Sequence, residues 1–231
     1  VRIWPVLVVA VLAAAAFWAV EKRASDPVLH PDLFRSQQLR VVGAIALAAG
    51  VVEAGMVFLP EIAVLGFGVS SSAASLMMLP LVLTLAVGAP IAGQLLDRNG
   101  ARPVIQTGLM LTIVGLALYA WLPLNLAGFY AAGAVIGFGL SALLGAPLRY
   151  VTLQEAGPER RGAGQGLLTL CVSVGQLLGA AIVGGIVGSS ATELGGYRHA
   201  LLTLAVACAV ALVLSRSLHG RVAADRTADG I

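Results

Sequence analysis

Charge is what this sequence lacks. Only 11% of its 231 residues are charged, against roughly 25% in an ordinary soluble domain. So few charges cannot coat a globule of this size with polar surface, which argues against a soluble enzyme. A disordered chain needs low hydrophobicity and high net charge, whereas 59% of these residues are hydrophobic and the net charge is +3. That surplus is also too weak for nucleic-acid binding. Cysteine is scarce. Cys171 and Cys208 lie alone in apolar runs, so neither a disulfide framework nor a thiolate metal site is suggested, and both read as small packing residues. The sequence shows no metal-ligand cluster and no phosphate loop, and no cofactor is expected.

What is present is long uncharged runs, with a mean hydropathy of +0.95. Residues 3–20, 62–96, 103–148, 162–192 and 199–215 carry no Asp, Glu, Lys or Arg. A helix needs about 20 apolar residues to cross ~30 Å of hydrocarbon, so the longer runs hold a helix and a turn, or two helices. Turn chemistry divides them at Gly66–Ser72 and at Leu122–Asn125. The expectation is an all-α integral membrane protein with seven transmembrane helices at 3–20, 41–60, 73–96, 103–121, 127–149, 162–187 and 199–215. Trp4 and Trp18 near the ends of the first stretch, with Glu21-Lys22-Arg23 directly after it, favour a spanning helix over a cleaved signal peptide. The chain starts at Val1 rather than Met, so the reading allows for residues upstream.

Placing the 14 basic residues on this topology puts only Arg2 and Arg198 on one side and all the others on the opposite one. By the positive-inside tendency the rich side is cytoplasmic. The expected location is the cell membrane, multi-pass, with the N-terminus outside and the C-terminus inside. Glycines at small-xxx-small spacing, such as Gly133/Gly137 and Gly175/Gly179, suit close backbone packing. Pro80, Pro90 and Pro147 are expected to kink or open their helices.

Two cytoplasmic loops carry sequence signatures. Gly93-Gln-Leu-Leu-Asp97-Arg98-Asn-Gly100-Ala-Arg102 resembles the G-x-L-x-D-R-x-G-x-R signature of major facilitator superfamily transporters. Pro158-Glu-Arg160-Arg161-Gly162 is similar to a P-x-x-R-G element of the same superfamily, two helices later. The resemblance implies that residues 41–215 form a C-terminal six-helix half built of two inverted three-helix repeats. Residues 216–231 would be a cytoplasmic tail. Residues 1–40 would be an extra linker helix and loop. Phe17-Trp-Ala-Val-Glu21-Lys-Arg, Asp26-Pro27 and Asp32-Leu-Phe-Arg35 resemble that linker in the 14-helix drug:proton antiporter branch. The implied function is proton-coupled efflux of small amphipathic or cationic compounds by alternating access. The chain would be truncated at its N-terminus. Its partners would be the lipid bilayer, the substrate, protons and a missing N-terminal transporter half. The alternative is an inactive or partner-dependent half with no transport of its own.

Candidate site residues follow. Glu53 lies 12 positions into its helix from Val41, roughly 18 Å along the axis. An ionised carboxylate at that depth costs at least ~2.5 kcal/mol, so Glu53 is a candidate for reversible protonation on the substrate path, or else bonds a neighbouring helix. Gly93, Asp97, Arg98, Gly100 and Arg102 form a candidate gating loop, with Gly100 supplying the permissive backbone of a tight turn. By the resemblance it latches one state of the cycle. Pro158, Arg161 and Gly162 mark the second motif. Arg149 is an interface or gate candidate, and Glu61 is interfacial. Gln94, Gln165, Gln176, Ser141, Ser173 and Thr169 either bond between helices or line a path.

Rival functions fare poorly. Ser141 and His199 are the nearest approach to an intramembrane serine-protease pair, but Ser141 lies roughly 20 Å down from the outer face where His199 sits. A retinal Schiff base needs a lysine in the last helix, and Lys22 is the sole lysine.

Overall fold

Hydrocarbon offers no hydrogen bonds, so an uncharged run has to satisfy its own backbone, and a helix does so within one segment. The computed structural model describes residues 36–121 and 125–218. The expected 3–20 helix, the linker up to residue 35 and the tail from 219 lie outside the described residues. Among the described residues six helical stretches are long and apolar enough to cross a membrane. The first joins α1 (Gln37–Met56) and α2 (Leu59–Phe67). The second joins α3 (Ser71–Leu76) and α4 (Leu79–Asn99). α5 (Ala101–Trp121) is the third, and α6 (Leu126–Leu144) with α7 (Ala146–Ala156) makes the fourth. A 3₁₀ turn at Pro158–Arg160 leads into α8 (Arg161–Ser189), and α9 (Glu193–Leu214) is the sixth.

Local chemistry sets the ends. Ser36 and Asn125 cap α1 and α6, their side-chain oxygens accepting from the Leu39 and Gly128 amides at 3.4 and 2.6 Å. Gly68 (φ 65°) and Gly100 (φ 82°) close α2 and α4 in backbone conformations that favour glycine. The first helix does not end near Pro60 as expected. Proline lacks the amide that a first turn leaves unpaired anyway, so Pro60 and Pro80 open α2 and α4 after short offsets at 57–58 and 77–78. Within the first offset the Val57 and Phe58 amides still donate to the Ala54 and Gly55 carbonyls. Pro147 likewise opens α7, whereas Pro90 lies inside α4. The last helix starts at Glu193 instead of 199, and the fourth span runs on to Ala156 instead of 149.

The six spans pack as two exchanged triplets. The first span packs on the fifth, the fourth on the second, and the third on the sixth. Burial matches instead between equivalent positions of the two triplets: 61% of the apolar window is buried in both the first and fourth spans, 17% in both the second and fifth, and 50% and 39% in the third and sixth. Similar exposure at equivalent places is what two inverted three-helix repeats produce. The second and fifth spans therefore present their sides outward.

Glycine makes the two exchanged contacts. A Cβ on Gly50 of α1 would strike the Val172 carbonyl oxygen and come within 3.1 Å of the Gln176 amide nitrogen. A Cβ on Gly175 would strike the Leu47 carbonyl oxygen, and one on Gly179 the Val51 carbonyl oxygen. The equivalent contact repeats this pattern: a Cβ on Gly137 of α6 would strike the Leu81 carbonyl oxygen and the Thr84 hydroxyl and lie 3.1 Å from the Leu85 amide nitrogen. Bare backbones thus touch at both junctions, the packing that replaces the hydrophobic effect inside lipid.

Gly179→Val is expected to destabilise the purified protein by at least ~1–3 kcal/mol, because the colliding atoms belong to backbone and cannot move aside. Gly185, with nothing within 4 Å, is the control: Gly185→Ala should leave the melting temperature of detergent-solubilised protein unchanged or slightly raised.

Candidate functional site

Contact between α1 and α8 decides which side chains meet. Gly50 and Gly175 bring the helices together; Glu53 stands about one turn beyond Gly50, and Gln176 directly follows Gly175. Glu53 on α1 and Gln176 on α8 face each other, and Gln176 Nε2 donates to Glu53 Oε2 at 3.1 Å. Glu53 stands 16 residues from Gln37 and 14 from Phe67, near the middle of its 31-residue span. The carboxylate is half-buried, so one of its sides remains open.

That side faces a cavity of about 330 Å³. Gln165, Thr169, Ser173 and Gln176 line it from α8, Leu143 and Leu144 from α6, and Gly145, Leu148 and Arg149 from the α6–α7 junction and α7. The α8 residues recur at intervals of four, four and three, which puts them on one helix face. The sequence held that interval, but not which neighbour the face would meet. Gln176 as the partner of Glu53 joins residues 123 positions apart, a distance over which no local pattern carries information.

Arg149 differs from its expected position. Because α7 runs on to Ala156, Arg149 lies about two turns short of the end of its span and lines the same cavity as Glu53. The helix is broken just before it: Gly145 has φ −83° and ψ −149°, and the Ser141 carbonyl oxygen occupies the place of its missing Cβ.

The two signature loops sit at the same end of the bundle. Ser36 Oγ donates to Glu155 at 2.9 Å and Gln38 Nε2 donates to the Ser217 carbonyl at 2.9 Å. These bonds tie the start of the first span to the ends of the fourth and sixth. The α4–α5 and α7–α8 turns lie at that end by alternation of the spans, and with them Arg40, Arg98, Arg102, Arg160, Arg161 and Arg216. Arg198 lies towards the other end, near the start of α9. In the first loop Gly100 terminates α4 with its amide donating to the Leu96 carbonyl at 2.9 Å. Asp97 and Arg98 are exposed, and Gly93 has open space where a Cβ would be. In the second, Pro158 begins the 3₁₀ turn, Arg161 begins α8, and Gly162 also has open space around it. The loops are not brought into contact with the Glu53 cavity.

Glu61 is exposed near the start of α2, six residues before Phe67 at the end of the first span rather than at the helix end expected for it. Ser141 donates to the Phe138 carbonyl at 2.7 Å and lines a separate crevice of about 260 Å³ between α4, α5 and α6 that does not include His199. Cys208 is buried and Cys171 half-buried, both as free thiols. Among the described residues no group of three or more His, Cys, Asp or Glu is placed to hold a metal ion.

The chain matches the family model described as Major Facilitator Superfamily over residues 3–180 and again over 41–228. It is 30% identical over 177 residues to YfiU of Bacillus subtilis, an uncharacterised transporter of that type, covering 76% of this chain and 34% of the relative. It is 31% identical to a triacylglyceride transporter of Mycolicibacterium smegmatis, covering 78% of this chain and 34% of the relative. It is 26% identical to the multidrug resistance protein Stp of Mycobacterium tuberculosis, with the same two coverages. The chain thus spans about a third of the length of these relatives. With matches this broad on six spans exchanged in this way, the chain belongs to the major facilitator superfamily.

Proposed function

We propose that this chain supplies the C-terminal six-helix half of a proton-coupled efflux transporter for small amphipathic or cationic compounds, with Glu53 as the coupling carboxylate. The observation that carries the reading is the contrast between the two exchanged junctions. Gly50 and Gly137 meet equivalent backbone atoms on their partner helices. Three residues after Gly137 stands Leu140, and the counterpart of Gln176 is Leu85. The same architecture is therefore built with leucines where the first junction carries Glu53 and Gln176. A carboxylate that packing does not require, held beside a cavity in mid-span, is kept for its chemistry.

The chemistry is competition for one group. Ionised Glu53 accepts from Gln176 and attracts a cationic substrate. Protonated Glu53 is neutral and releases it. Rocking of one half against the other exposes the cavity to each side in turn, so a proton bound on one face is exchanged for substrate on the other. The arginine-rich end is the cytoplasmic one. The Asp97-Arg98 loop, exposed at that end, would latch one state against the N-terminal half, and residues 3–20 would link the halves. The multidrug name of Stp agrees with the substrate class.

Three outcomes test this. The paired change Glu53→Leu with Gln176→Leu should fold normally, with no more than ~1 kcal/mol of stability lost, the usual weight of one such bond between membrane helices. A collapse of thermal stability would make the pair structural. Glu53→Gln in the complete transporter, which fixes the side chain in a neutral form, should abolish transport driven by a pH gradient in vesicles and weaken binding of a cationic substrate. Unchanged pH-driven transport removes Glu53 from the coupling role. Single cysteines placed by Asn99→Cys and Ser72→Cys, with Cys171 and Cys208 replaced, should divide cleanly in intact cells. A membrane-impermeant maleimide should label position 72 and spare position 99, and the reverse would invert the assigned orientation.

A further inference from the structure

Resting on the reading of this cavity as a transport site, we propose that Arg149 makes it selective for dipolar molecules, with an anionic or strongly accepting group at Arg149 and a protonated amine at Glu53. Both charges line one cavity. A guanidinium stays charged at any working pH, and among the described residues Arg149 forms no ion pair. The cavity therefore has a permanent positive pole and an ionisable negative one.

Their separation follows from the helices. A Cβ on Gly164 would come within 3.1 Å of Thr152 Cγ2, which sets the level of α7 against α8. Arg149 lies one turn further from the arginine-rich end than Thr152, level with α8 about three residues beyond Gly164. From there to Gln176, which holds Glu53, is about nine residues, roughly 13 Å along the axis. Thr169 and Ser173 lie between these levels on the cavity face, so the stretch between the poles offers neutral hydrogen-bonding groups. A molecule bearing one positive charge gains from Glu53 and is repelled by Arg149. One bearing both charges, extended along α8, satisfies both poles.

The break at Gly145 turns Arg149 to this side. The side chain hangs from the fourth residue of a fresh helix, directly after the residue that leaves helical geometry. An arginine whose task was to anchor the span at the interface would be expected in the last turn by Ala156, beside the loop, and not two turns in.

The test uses inside-out vesicles containing the complete transporter. The probes are norfloxacin, zwitterionic at neutral pH, and tetraphenylphosphonium, a permanent monocation. Wild type should carry norfloxacin. Arg149→Gln should raise the half-saturating norfloxacin concentration about tenfold or more, as expected for losing a charged hydrogen-bond partner, and should leave tetraphenylphosphonium unchanged or better handled. Arg149→Lys, which keeps the charge, should retain most norfloxacin transport and controls for folding. Equal losses for both probes, no loss for either, or a wild type that carries tetraphenylphosphonium but not norfloxacin would each overturn the proposal while leaving a transporter. A wild type that carries neither probe removes the transport reading itself, and this inference with it.

Discussion

The backbone contact between α1 and α8 is the constraint on which the rest depends. In lipid, apolar side chains gain nothing by leaving the solvent, because the solvent is as apolar as they are. Helices hold together where they can come close, and here glycines at 50, 175 and 179 let backbone meet backbone along the line of contact. That closeness carries Glu53 and Gln176 into hydrogen-bond range across two helices distant in sequence. The cavity lies beside this seam, so its position is fixed by the same glycines. Widening the seam by one methyl group would separate the polar pair before it changed the number of spans.

The inverted arrangement supplies a built-in comparison. Two junctions of one design occur in one chain, one with Glu53 and Gln176 and the other with Leu140 and Leu85 at those places, where the Thr84 hydroxyl is the polar side-chain group against Gly137. Gly137 and its partners Leu81 and Leu85 show what the fold needs at such a crossing, which is small residues and close carbonyls. Whatever Glu53 and Gln176 add lies beyond that need. The contrast separates architecture from chemistry without reference to any other protein, since both crossings share the same membrane and the same chain.

Much of this was legible in the sequence, and the physical reasons for the rest are specific. The six described spans follow from apolar length together with the turn residues that divide the longer runs, and the family from two short loops that stand at one end of the bundle. Pro60, expected at a helix end, begins a new segment instead, because proline fits a first turn as well as it spoils an interior one. Pro147, expected to kink or open its helix, stands in the first turn after the break at Gly145. Glu53 stood out because a carboxylate in mid-span is rare. Its partner did not, since Gln176 looked no different from Gln94 or Gln165 until the helices were placed. Arg149 was assigned to a helix end because its span was taken to stop seven residues early.

The least buried spans are the second and fifth, and their sides differ in kind. Leu79, Leu83, Val87 and Ile91 form an exposed apolar row at four-residue spacing on α4, a surface that acyl chains can cover. The cavity side cannot be treated so. Glu53 and Arg149 both open onto it, and a charge set against hydrocarbon costs at least ~2.5 kcal/mol. Water has to reach this side, and a second wall has to keep lipid out. The fifth span carries the polar residues from Gln165 to Gln176 along that side, so the wall has to meet α8 along much of its length. The six described spans do not themselves cover this side. In the proposed transporter the N-terminal half would supply that wall, and the demand of two charges inside a membrane argues for it on physical grounds beside the family likeness.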